Sequence, residues 1–124
     1  MAGKREVQEV LRTITREALL LLNCKISAFF LYDEGEDLLR LHSLQDQQGS
    51  RSLEESLKPS DSILGTSLRG RRQVQTRDLL RTEEHHFVTL IREEKLHSML
   101  VTPVVYQDIS IGVLSLYVDR SHRF

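Results

Sequence analysis

With 124 residues, 40% of them hydrophobic and 28% charged, the chain has the size and composition of one globular domain with a true core. Lys and Arg total 17 against 18 Asp and Glu, a net charge of −1 that supplies no field able to hold a nucleic-acid backbone. The longest apolar run, Ala18 to Leu22, is far short of the ~20 residues of a membrane span and no signal-peptide pattern opens the chain, so it reads as a cytoplasmic domain without membrane contact.

The first predicted element is a helix over about residues 4–22. Its apolar residues Val7, Leu11, Ile14, Ala18 and Leu21 recur at alternating spacings of four and three, the pattern of a coiled-coil seam. Val10, Leu19, Leu20 and Leu22 widen the apolar surface beyond one seam, so the helix can cover its own sheet and also meet a second copy of the chain. A homodimer through this helix is the expectation; a helix packed only on its own sheet is the plainer alternative. Cys24, the single cysteine, excludes an internal disulfide and reads as a small buried hydrophobe between helix and strand.

Ile26 to Tyr32 reads as a buried strand, and the polar run Asp33-Glu34-Gly35-Glu36-Asp37 turns the chain back into a second strand over Leu38 to Leu44. Those four carboxylates crowd one turn and read as solvated charge, not as a positioned acid and base. Asp46 to Ser52 reads as a loop, with Ser52 to Glu55 able to open only a short helix. Asp61 or Ser62 can cap a helix through Leu68 that stops near Gly70, followed by a brief strand over Gln73 to Thr76. The Arg69-Gly70-Arg71-Arg72 cluster is most simply a solvated helix end. Phe87, Leu90 and Ile91 space a further helix from His85 or His86 to Lys95. Two apolar, β-branched arms then flank a polar turn, Leu96 to Tyr106 and Ile111 to Tyr117, and form a hairpin at the centre of the sheet. The predicted fold class is α+β, an antiparallel sheet of five or six strands sandwiched between helices in three layers, α/β/α.

Several of these segments resemble the GAF domain family, a sensory and dimerisation module of signalling proteins related in fold to PAS domains. Ser27-Ala28-Phe29-Phe30-Leu31-Tyr32-Asp33 is similar to the family's first strand, and Ser62-Ile63-Leu64-Gly65-Thr66-Ser67-Leu68 to its G-I-A-G-x-V helix. Gly70 to Asp78 is similar to the segment T-G-x-P-V-x-I-N-D. His97 to Val104 with Ile111-Gly112-Val113-Leu114 matches the paired strands S-x-L-x-V-P-L and I-G-V-L, the most specific part. The resemblance implies a single domain over residues 1–124. It also implies a C-terminal helix beside the first, and the sequence stops at Phe124 before one, so the chain is expected to be a piece of a longer signalling protein with a linked effector domain.

The resemblance further implies a ligand pocket between the sheet and the later helices, on the face opposite the first helix. Strand alternation turns Phe29, Leu31, Leu114 and Leu116 toward the first helix. Ala28, Phe30, Tyr32, Val113, Ser115 and Tyr117 then face the pocket, and Asp78, His85, His86 and Phe87 belong to the segment that closes it. Filling of this space by the chain's own aromatics is the competing expectation. No metal is expected: His85 and His86 are adjacent, no helical i, i+4 histidine pair exists, and His42, His97 and His122 are scattered. Haem is disfavoured on the same grounds. Bilin attachment in relatives needs a cysteine near the closing segment, where Cys24 does not lie. Cyclic-nucleotide-binding relatives carry an Asn-Lys-Phe-Asp-Glu signature whose acidic pair is replaced here by Ile91-Arg92.

The function expected is small-molecule sensing within a bacterial sensor histidine kinase, diguanylate cyclase or transcription regulator, transmitted through the terminal helices of a dimer. A ligand-free dimerisation module is the second expectation. No enzymatic activity is expected, because methionine sulfoxide reduction on a related fold needs suitably placed cysteines that Cys24 alone does not supply.

Overall fold

The computed structural model describes residues 4–79 and 86–120. Helix α1 (Lys4–Leu21) leads into strand β1 (Ile26–Asp33), which turns into β2 (Leu38–Asp46). Two short strands follow, β3 (Gly49–Arg51) and β4 (Ser56–Leu57), then a 3-10 turn (Pro59–Asp61) and helix α2 (Ile63–Gly70). Strand β5 (Val74–Thr76), helix α3 (Val88–Glu93) and the long pair β6 (Ser98–Tyr106) and β7 (Ile109–Val118) complete the chain. No helix among the described residues is long and apolar enough to cross a membrane.

The sheet is antiparallel in the order β3-β2-β1-β7-β6-β5, with β4 also paired to β2. It therefore has seven strands, one or two more than expected; β3 falls in the segment read as a loop and β4 directly after the one read as a short helix. Gln47-Gln48-Gly49 is a tight turn, not a loop; Gly49 adopts φ +128°, and its strand pairs straight back onto β2. Ser56 and Leu57 pair with Arg40 and Leu39, and the preceding segment is fixed by the Leu41 N–H donating to the Glu55 carbonyl at 2.8 Å. The central β6–β7 hairpin turns on Gln107 and Asp108 alone, both at positive φ, the backbone that matches the twist of a two-residue hairpin.

Two cores flank this sheet. On one face Leu11 and Leu19 of α1 bury against Phe29, Leu114, Leu116 and Val118, with Cys24 beneath. Leu31 is exposed, so its expected helix cover is absent at that end of the strand. On the other face the larger core gathers Ala28, Phe30, Val113 and Tyr117 from the sheet, Leu64 and Leu68 from α2, and Leu90 and Ile91 from α3. This is the three-layer α/β/α arrangement.

Helix α1 does not present one seam. Leu11, Thr15 and Leu19, spaced by four, turn into the sheet, while Val7, Val10, Ile14 and Leu21 are exposed. Leu11 is thereby removed from the residues that could meet a second copy, and Ala18 is half-buried against the same core. Spacing alone could not divide the helix this way, because two apolar stripes one residue apart overlap in any seven-residue count.

Candidate functional site

Between the sheet and helices α2 and α3 lies a polar group inside an apolar core. His86 has no solvent exposure, and its Nε2 lies 2.6 Å from the hydroxyl of Tyr117, itself fully buried. Its Nδ1 lies 3.5 Å from Ser62 Oγ. That hydroxyl already accepts the Leu64 N–H at 3.0 Å and so caps α2, which fixes it in place. Aromatic rings surround the imidazole. Phe30 meets it edge-on with centroids 5.9 Å apart, Phe87 lies 5.3 Å away and Tyr117 6.1 Å. Phe87 closes the cluster against Phe30 at 5.3 Å.

Local sequence places each part. Alternation along β1 and β7 turns Phe30, Val113 and Tyr117 to one side, and all three are fully buried there with Ala28 and Ser115. The Ser115 hydroxyl donates back to the Ala28 carbonyl at 3.4 Å and is turned toward its neighbouring strand. Tyr32 lies at the strand end, half-buried, with its hydroxyl donating to Asp37 at 2.7 Å in the β1–β2 turn. That bond to the Asp37 carboxylate holds the phenol above its ordinary pKa, with burial adding to the shift. Asp78 is half-buried just after β5, beside Leu79, whose N–H is pinned to the His97 carbonyl at 2.6 Å. His85 lies outside the described residues.

Phe87 stands out in its backbone. It precedes α3 with φ 53° and ψ 28°, a left-handed conformation uncommon for a bulky residue. Its N–H donates to the Glu55 carboxylate at 3.4 Å. Beyond it a cleft of about 330 Å³ opens to solvent, lined by Arg51, Leu53 and Glu55 on one side and by Phe87, Leu90 and Glu93 on the other.

Sequence reasoning missed two members. Ser62 was legible as a helix cap but not as a neighbour of His86, since cap and histidine are 24 residues apart. Glu55 carried no local signal at all. Two of the three arginines at the end of α2 are engaged: Arg69 pairs with Asp37 at 3.1 Å, and Arg71 pairs with Asp108 in the β6–β7 turn. No cluster of three His, Cys, Asp or Glu side chains fit to hold a metal occurs among the described residues. Cys24 is buried at the α1–β1 junction, where desolvation pushes its thiol up to about 11 against the opposing charge of Arg120.

No curated protein matches the sequence. Among solved structures the chain is similar to the GAF domain of a phosphoenolpyruvate-protein phosphotransferase from Coxiella burnetii, at 18% identity and a TM-score of 0.76, covering 94% of this chain and 70% of that one. It is similar to the GAF domain of a two-component sensor histidine kinase from Bacillus halodurans, at 17% identity and a TM-score of 0.72, covering 90% and 76%. It is also similar to a free methionine-R-sulfoxide reductase from Neisseria meningitidis solved with its substrate, at 18% identity and a TM-score of 0.75, covering 94% and 65%. Identities this low speak for the fold alone. The family model for the GAF domain matches residues 4–124, and the chain therefore belongs to the GAF domain family.

Proposed function

We propose that this chain is a regulatory domain that senses a small molecule within a larger bacterial signalling protein of the cytoplasm. The observation that carries the reading is the buried His86–Tyr117–Ser62 group, a hydrogen-bonding constellation set in an otherwise apolar core. A core built only for stability gains little from an imidazole there, since each buried polar atom must be matched by a partner to avoid a desolvation cost. Ligand binding acts through differential contact: a molecule that favours one arrangement of α3 over another acts on the core that Leu90 and Ile91 share with the sheet. The absence of a second cysteine, together with the protonated burial of Cys24, argues against thiol redox catalysis. The test is native mass spectrometry of the chain purified from its host, beside denaturing spectra and an absorption scan. A mass present only in the native spectrum supports sensing; an empty chain after gentle isolation speaks against it.

A second reading, a dimerisation module, rests on a different observation. Val7, Val10, Ile14 and Leu21 are exposed at spacings of three, four and seven on the outer side of α1, a face suited to a second copy. Val10→Glu with Ile14→Glu is expected to leave a folded monomer, read by sedimentation equilibrium. A doubly substituted chain that still dimerises excludes this face.

A further inference from the structure

We infer that His86 is a built-in stand-in for the ligand, and that the true ligand is a small, neutral, planar ring with a hydrogen-bonding edge that takes the imidazole's place. The inference rests on the sensing role proposed above and specifies its ligand class. Three observations converge on it. His86 is a fully buried polar side chain in the larger core, enclosed by the rings of Phe30, edge-on, and of Phe87 and Tyr117, tilted against it, as a bound ring would be. Its edge is read by two hydroxyls from separate elements, Tyr117 on β7 at 2.6 Å and Ser62 at the cap of α2 at 3.5 Å. Hydroxyls serve as donor or acceptor, so they accept either edge of an azole, an amide ring or a similar heterocycle.

The third observation is the way this side chain is held. Phe87, the next residue, carries its bulky side chain on a left-handed backbone, a conformation that persists only where surroundings enforce it. Phe87 both lines the open cleft of about 330 Å³ and lies against the buried imidazole, with ring centroids 5.3 Å apart. Helix α3 behind it is only six residues long. A change of φ and ψ at Phe87 that swings both rings outward would release the left-handed backbone and join the cleft to the space the imidazole leaves. A ring seated in the imidazole's place meets the Phe30 ring edge-on and the Tyr117 hydroxyl, while Arg51, Glu55 and Glu93 line the cleft for any polar substituent. The internal occupant sets the response threshold, because apparent affinity falls in proportion to the fraction of molecules in which it has left.

Two measurements test this. In native-state hydrogen exchange on the whole chain, the amides of Phe87 and Ile91, bonded to Glu55 and to the Phe87 carbonyl, are expected to exchange through a local opening with little denaturant dependence. The amides of β1 and β7 are expected to exchange only with global unfolding. In parallel, His86→Ala is titrated with imidazole at alkaline pH, where the probe is neutral. About ten times a dissociation constant is expected to raise the variant's Tm by roughly 5 °C, with a smaller shift in the parent chain. The ratio of the two imidazole affinities should equal the opening population read by exchange. A folded His86→Ala that ignores imidazole overturns the inference, as does exchange at Phe87 and Ile91 that merges with global unfolding. Should His86→Ala fail to fold, exchange in the parent chain decides. An empty native spectrum from the host would count against sensing and leave both of these readings intact, so the two failures are distinguishable.

Discussion

His42 is the extra residue at the bulge where the β1–β2 register shifts between Phe29 and Phe30, and the bulge turns its ring edge-on to Phe29 beside α1. Both ring nitrogens are buried without a partner among the described residues. Burial first, and the Arg12 charge second, hold its pKa below the ordinary value. The sign follows: the folded protein keeps His42 neutral, while the unfolded chain takes a proton below about pH 6.5, so stability present above that pH is lost as pH falls toward the lower folded value. Urea midpoints at pH 7.5 and 5.5 should differ, and His42→Leu should remove that component of the difference. Close by, the Thr15 hydroxyl donates to the Leu11 carbonyl at 2.7 Å and lies 2.8 Å from Ser43 Oγ, joining α1 to β2 inside the core. Thr15→Val alone is expected to cost about 1–2 kcal/mol by orphaning Ser43, and Thr15→Val with Ser43→Ala close to nothing, measured as a double-mutant cycle.

At the scale of elements, backbone proximity separates two glycines. A Cβ on Gly112 would collide with the Phe30 carbonyl across the β1–β7 pair, whereas one on Gly35 would make ordinary contact with Asp33 at 3.5 Å. Gly112→Ala should therefore cost about 2–3 kcal/mol, and Gly35→Ala should stay within about 0.5 kcal/mol, by denaturant unfolding. The elements most legible in the sequence were those with a strong local signal. The alternating residues of β1 and β7 declared their two faces, and Ser62 declared the start of α2. Strands β3 and β4 were hidden because three and two residues carry no period, and their pairing to β2 is a tertiary fact. The division of α1 was hidden as well, since the sheet, not the helix, decides that Thr15 rather than Ile14 is buried. The sequence places His86 in the closing segment, but its burial against Tyr117 depends on a contact 31 residues away.

Across the whole molecule, the two cores are tied at one end by charge. Lys25, at the start of β1, donates to the Glu94 carbonyl at 3.0 Å and so caps the end of α3, while reaching Asp119 after β7 at 3.6 Å. Arg51 on β3 holds the side-chain carboxylate of Glu94 at 3.2 Å. These contacts link the end of α3 to the residue between α1 and β1 and to the end of β7. Cys24 sits at that junction, sealed between α1 and the sheet. Its sulfur is the chain's single thiol, and at neutral pH it is both shielded and almost wholly protonated. It is thus a native chronometer: the rate at which an alkylating reagent marks it counts how often the first helix lifts from the sheet. Adding a ligand that quiets or quickens that marking would register signal transmission without any label being introduced.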